Sequence, residues 1–277
     1  MKKNYLLFEQ KISLKLAIFI ALFGFLTSSA QVTTNGGSGL APAYPDLATA
    51  ITALNGATIT SPVVITLAGD EFAPVGGYSI TAQGSATNTI TIEGVASTIT
   101  APTPQASGVL TDAVFKLVGA DWVTIQGFTM LENPSNTTVA AATNNMTEWG
   151  VALLYATTTN GAQNNTIRNN TIDLNRTYQN TSGIYSNSTH AATNITTAAS
   201  ATTTTGGNSG LKIYSNTITD VNLGIVVIGP TAIADQNVGI DIGGTSLTTA
   251  NTISNFGTTG TFSGFANVSG TVNGILF

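Results

Sequence analysis

Residues 165–172 read NTIRNNTI, and residues 211–218 read LKIYSNTI. Three more segments align with them: residues 90–94 (ITIEG), 123–130 (VTIQGFTM) and 240–247 (IDIGGTSL). A second motif alternates with the first, at residues 114–118 (VFKLV), 150–154 (GVALL), 183–187 (GIYSN), 224–228 (GIVVI) and 274–277 (GILF). Successive copies are 29 to 50 residues apart, so the strands repeat while their connections vary. Both motifs alternate apolar and polar residues, the period of a half-buried strand. The first predicts an inward column of Ile92, Ile125, Ile167, Ile213 and Ile242. Beside it runs an outward column of Glu93, Gln126, Arg168, Tyr214 and Gly243.

Short strands that recur in this way suit an all-β solenoid, with each coil about 4.8 Å above the last and like side chains stacked on like. Asn170 and Asn216 fall at equivalent positions just after the strand, where stacked amides bond from coil to coil at a bend. The glycine before Val151, Ile184, Ile225 and Ile275 marks another corner in this reading. Asp46 is placed to cap a short helix over residues 47–54, with Leu47, Ile51 and Leu54 on one face. That helix would cover the open end of the solenoid.

The pattern of residues 165–172 and 183–187 resembles the right-handed parallel β-helix repeats of the pectin-lyase-like fold. The leader ending in Ser29-Ala30-Gln31, followed by Ala43-Tyr44-Pro45-Asp46-Leu47, resembles surface proteins of Bacteroidetes. The resemblance spans roughly residues 40–277. It implies a right-handed parallel β-helix with an N-terminal capping helix, on a fold that hosts lyases, hydrolases and non-enzymatic adhesins alike.

Composition narrows the function. Of 277 residues only 8% are charged, against about a quarter in an average protein. There are 48 Thr, 25 Asn and 29 Gly, with 42% hydrophobic residues, which argues against both disorder and a coiled coil. Cysteine is absent, so there is no disulfide framework or thiolate metal site. Lys2, Lys3, Lys11 and Lys15 precede an apolar run over residues 16–26, and small residues follow at 27–30. This is the layout of a secretory signal peptide over 1–30, too short to span a bilayer. A linker is expected over 31–44 and the β-helix over 45–277. The expected setting is bacterial, secreted or at the cell surface, with no membrane insertion once the signal is removed. The last motif stops at Phe277 without a polar cap, the pattern of a fragment of a longer chain.

Past the signal, Lys116, Arg168, Arg176 and Lys212 stand against twelve acids, a net charge of −8. Four scattered cations do not neutralise a phosphate backbone, which excludes nucleic acid as a partner. Carbohydrate chemistry on such a fold needs clustered carboxylates. Here Asp112 and Asp121 flank one strand, Asp70 and Glu71 sit together near the start, and Asp173, Asp220 and Asp241 fall in different coils. No catalytic set and no cofactor is assigned on this basis, and nothing specific supports calcium. Lys212 and Asp241 occupy equivalent positions, as a surface ion pair would. His190, the single histidine, falls in a Thr-rich connection without a second metal ligand.

Tyr185 and Tyr214 are predicted to point outward from strands, where a ring can stack on a sugar or cover a loop. Trp122 and Trp149 are expected to act as cover. The connections over 131–148 and 188–209, rich in Thr, Ala, Asn and Ser, are expected to be solvated excursions. These readings favour a structural, adhesive or carbohydrate-contacting role toward a polysaccharide or cell-surface glycan. The alternative is a polysaccharide lyase or glycoside hydrolase whose catalytic coils lie beyond Phe277.

Overall fold

A computed structural model describes residues 31–140, 143–191, 199–257 and 274–276. The expected signal peptide over 1–30 lies outside these residues. The described chain is mostly β with a single α-helix. In order come β1 (Val32–Thr34), β2 (Ala43–Tyr44), α1 (Leu47–Gly56), β3 (Val63–Leu67), β4 (Glu71–Phe72), β5 (Tyr78–Ile80), β6 (Ile90–Thr100), β7 (Ala113–Val118), β8 (Val123–Leu131) and β9 (Trp149–Tyr155). Then follow β10 (Thr166–Arg168), β11 (Thr171–Asp173), β12 (Ser182–Ala191), β13 (Lys212–Tyr214), β14 (Thr217–Thr219), β15 (Leu223–Ile228), β16 (Asp241–Ile242), β17 (Thr252–Ile253) and β18 (Ile275–Leu276).

The strands form two sheets. One has twelve strands and runs β16-β13-β10-β8-β6-β3-β1-β2, with β4, β11, β14 and β17 pairing alongside; the other has six and runs β18-β15-β12-β9-β7-β5. All pairs from β3 onward are parallel. The register joins Ile92 to Ile125, Ile125 to Ile167, Ile167 to Ile213 and Ile213 to Ile242, the inward column read from the sequence. The first four of these isoleucines are fully buried, in one core with Phe115, Leu117, Val151, Leu153, Ile184 and Ile225 from the six-stranded sheet. A parallel ladder forces this pattern, because a one-residue slip would turn the whole column to solvent.

The bend between β10 and β11, and its equivalent between β13 and β14, takes one left-handed residue, Asn169 or Ser215 (φ 54° and 55°); Gly127 does the same within β8. Asn170 and Asn216 follow directly. Their amides stack as the sequence suggests, and Asn251 extends the row through bonds of 3.0 Å from the Asn216 backbone N–H and Nδ2 to its Oδ1.

Two local expectations change. The stretch over 31–44 is not a plain linker: β1 pairs antiparallel with β3 and with β2. An antiparallel strand there satisfies the edge of β3, which a linker would leave open. The glycines at 150, 183 and 224 lie inside strands with no left-handed backbone, so they do not mark corners. They are small because the next layer comes close. A Cβ on Gly183 would sit 2.4 Å from Ile218 Cγ2, and one on Gly150 2.5 Å from Ile172 Cγ2.

Helix α1 is capped as expected: the Asp46 carboxylate accepts from Thr49 N–H at 2.7 Å. Leu47, Ala50, Ile51 and Leu54 are buried in the main core. No helix among the described residues is long and apolar enough to cross a membrane.

Candidate functional site

The outer face of the twelve-stranded sheet carries the outward column. Thr66 Oγ1 donates to Glu93 Oε1 at 3.0 Å, Gln126 Nε2 donates to Glu93 Oε2 at 2.8 Å, and Arg168 Nε donates to Gln126 Oε1 at 2.7 Å. Each rung belongs to a different strand, so the side chains lock neighbouring strands together while staying at the surface. Tyr214 stands next in register to Arg168, and its hydroxyl donates to Asp241 Oδ2 at 2.6 Å. That bond, with some burial, pushes the Tyr214 hydroxyl up to about 12. Lys212 is in register with Asp241, yet the Asp241 carboxylate is held by Tyr214 and by Gly244 N–H at 3.1 Å. The expected ion pair gives way to a hydrogen bond from the tyrosine two residues past the predicted partner.

Two depressions lie on this face along the same strands. One, of about 380 Å3, is lined by Glu93, Gln126, Arg168 and the bend residues Gly94, Gly127 and Asn169. The other, of about 300 Å3, is lined by Thr89, Trp122, Thr124, Asn164, Thr166 and Lys212. Trp122 is partly exposed and left-handed (φ 56°). Its backbone is pinned on both sides: its N–H donates to Gln163 O and its carbonyl accepts from Ile90 N–H, each at 3.0 Å. Thr124 and Gln126, like Thr166 and Arg168, are two apart on one strand and so about 6.6 Å apart on one face. The result is an aromatic ring beside hydroxyls, amides and two cations. The sequence places Trp122 as cover; an aromatic just before a strand has no period to reveal which side it lines, and it is partly exposed beside Thr124 and Thr166.

Tyr185 does not belong to this face. It lies on the six-stranded sheet and is 1% exposed, so it cannot be a surface stacking platform in this conformation. The outer side of that sheet is itself covered. Leu110, Ala113, Trp149, Ala152, Leu154, Tyr185, Leu223 and Val226 form a second apolar cluster there. Trp149 and Tyr185 stack with centroids 4.5 Å apart and planes 5° apart, and His190 meets both edge-on. The alternation read from the sequence was right about which way Tyr185 points; it could not show that a second layer lies over it.

The connection over 131–148, expected to be a solvated excursion, packs against residues 101–112, which carry Leu110. Asn133, Asn136, Asn144, Met146, Thr147 and Glu148 are all buried. Its polar composition is used internally: Asn133 Nδ2 donates to Ala101 O, Asn136 Nδ2 to Pro102 O, and Gln105 Nε2 to Thr147 Oγ1. Residues 192–198 of the other connection lie outside the described residues.

His190 joins the layer to the sheet. Its Nε2 lies 3.0 Å from Leu110 O, and its Nδ1 lies 3.2 Å from the Tyr185 hydroxyl. A carbonyl only accepts, so Nε2 carries the proton and Nδ1 accepts from Tyr185, whose oxygen in turn accepts from Asn187 Nδ2 at 2.7 Å. Burial lowers the imidazole to about 4, consistent with this neutral tautomer.

Carboxylates collect beneath the same layer. Glu148 is fully buried; its Oε2 accepts from Asp112 N–H at 2.8 Å and its Oε1 from the Tyr178 hydroxyl at 3.0 Å. Glu132 accepts from Thr147 N–H at 2.7 Å and from Asn136 Nδ2 at 2.8 Å. Asp112 is 1% exposed, and neither of its oxygens has a full hydrogen bond among the described residues. The Ala106 N–H lowers its pKa without meeting that geometry. Burial dominates and raises Asp112 to about 7; it also raises Glu132, and raises Glu148 well above the ordinary carboxylate range. Lys116 is lowered by the same burial and donates to Thr111 O at 3.0 Å. Asp112 and Glu148 are sealed from solvent and so do not meet a polymer substrate in this conformation. Among the described residues no group of three or more histidines and acids is placed to hold a metal ion.

Comparison with protein-family models, with curated proteins and with solved structures finds no match to this chain.

Proposed function

We propose that this chain is a right-handed parallel β-helix, exported to the bacterial exterior, which contacts carbohydrate through the open face of its twelve-stranded sheet in an adhesive or structural role. The solenoid reading is supported by the way successive strands alternate between the two sheets, each return adding a parallel strand in register. The coil-to-coil asparagine row is the kind of bond such stacking permits.

One observation carries the functional reading. Trp122 is partly exposed in a depression with Thr124, Thr166 and Lys212 around it. A sugar ring offers an apolar face and a rim of hydroxyls, and this arrangement offers an indole for the face and polar groups for the rim. Tyr214, beside Arg168 in the adjoining column, remains a second ring on the same face. Tyr185 does not, because it is covered.

The test is a glycan panel probed with residues 31–277 and with the Trp122→Ala variant. Wild type is expected to retain at least one polysaccharide, and the variant to bind it about tenfold more weakly, the equivalent of 1.4 kcal/mol. Equal binding by both proteins would move the contact elsewhere.

A further inference from the structure

The cover on the six-stranded sheet is held down by groups that cannot all be charged where they are. Residues 101–112 bring Leu110 over the Trp149–Tyr185–His190 trio and end at Asp112. Residues 132–140 and 143–148 tie to them through Ser107 Oγ to Asn144 O at 2.7 Å and Gln105 Nε2 to Thr147 Oγ1 at 3.1 Å. At the seam Asp112 N–H donates to Glu148, and Glu148 N–H returns the bond to Asp112 O at 3.2 Å. The two acids thus hold adjacent coils together with their side chains crowded into one sealed space. Among the described residues the one cation acting on them is Lys116, and Glu132 also acts on Asp112. Asp112 has a carboxyl group with no hydrogen bond among the described residues, and the Lys116 ammonium offsets only part of what burial costs its charge.

We propose that residues 101–112, 132–140 and 143–148 form a pH-gated lid, closed while Asp112 and Glu148 are protonated and opened by their ionisation, which uncovers Trp149, Tyr185 and His190. The sign follows from the direction of the shifts. A carboxyl held higher in the closed form than in the open form favours closure at low pH. It loses that effect as pH rises from the ordinary carboxylate range, near 4, through its closed-state value, about 7 for Asp112. Glu132 and Glu148 act in the same sense. His190, lowered from 6.5 to about 4, favours opening as pH falls through that range, and Lys116, lowered from 10.5, acts in the same opposing sense at the alkaline end. Tyr178, raised by burial and by Glu148, stays neutral throughout.

The experiment is native-state hydrogen exchange on residues 31–277 at pH 6 and pH 8.5, corrected for intrinsic rates. It follows the amides of Asp112, Thr147, Glu148 and Trp149. Reading each against Asp112→Asn and Glu148→Gln removes the contribution of His190, which all three proteins share. The opening constant is expected to rise with pH at least tenfold more in the wild type than in either variant, while the amides of Ile167 and Ile213 change equally in all. The same rise in wild type and variants would overturn the proposal. Should a variant fail to fold, acrylamide quenching of Trp149 in Trp122→Phe supplies a second readout. More quenching at pH 8.5 than at pH 6 supports the lid, and equal quenching contradicts it.

Discussion

Asn216 Oδ1 accepts two hydrogen bonds from Asn170, one from its backbone N–H and one from its Nδ2, each at 3.1 Å. Both residues are buried, and Asn216 Nδ2 completes the set by donating to Ile167 O at 2.9 Å. One side chain therefore ties its own bend to the preceding one. Replacing Asn216 with Leu leaves the Asn170 N–H and the Ile167 carbonyl without their partners. Each such loss costs about 1–3 kcal/mol. The melting temperature of Asn216→Leu is expected to fall by about 5–10 °C, at 2–4 °C per kcal/mol for a domain of this size. A fall no larger than that of an exposed Thr217→Leu control would contradict the bonding pattern.

Gly183 is expected to resist even the smallest enlargement. Its missing Cβ admits Ile218 Cγ2 from below and the Gly224 carbonyl at 2.7 Å. Gly183→Ala should destabilise by about 1–3 kcal/mol through overpacking. The double variant Gly183→Ala with Ile218→Ala should cost less than the sum of the two single variants in a denaturant titration, since the alanine at 218 removes Cγ2 from the contact. Strict additivity would show that the two residues do not meet.

Tyr185 is expected to behave as core. Tyr185→Phe keeps the ring on Trp149 but strips the hydroxyl from Asn187 and His190, a loss of about 1–2 kcal/mol. Glycan binding per folded molecule should not change. A binding defect without a stability defect would return Tyr185 to the surface.

His190 lowers stability on the acid side of the pH curve, against the opposite effect of the buried carboxyls. Its buried neutral ring is lowered from 6.5 to about 4, so its contribution is present above pH 6.5 and lost as pH falls toward 4. His190→Gln should flatten wild-type stability over that window by up to about 3 kcal/mol, measured by urea titration at each pH. A variant curve parallel to wild type would mean that the imidazole is already charged.

What the sequence made legible follows from period. Ile125, Ile167 and Ile213 recur with a polar residue on each side, and a two-residue alternation states which side is inside. The Asp46 cap and the Asn170–Asn216 pair were equally legible, because each depends on a residue type at a fixed offset from an element. Layering was not legible. Tyr185 faces outward from its strand, yet Leu110, some seventy-five residues earlier, lies over it. The connection over 131–148 looks like a solvated tract by composition, but Asn133 and Asn136 spend their amides on backbone carbonyls of residues 101 and 102. Composition cannot distinguish an asparagine bonded to water from one bonded to a neighbouring segment. The partial exposure of Trp122, expected to act as cover, was not legible for a related reason, since it stands outside the periodic strand that follows it.

The two tryptophans make the most direct test of which face meets ligand. Trp122 is partly exposed in the depression of the twelve-stranded sheet, while Trp149 is 2% exposed beneath the cover. Mild indole oxidation at pH 6, followed by peptide mapping, reads each separately, with and without the polysaccharide selected from the panel. The expected result is oxidation at Trp122 alone, suppressed when the polysaccharide is present. Oxidation of Trp122 at the same rate with ligand bound, or ligand protection at Trp149 instead, would contradict the assignment of the carbohydrate face.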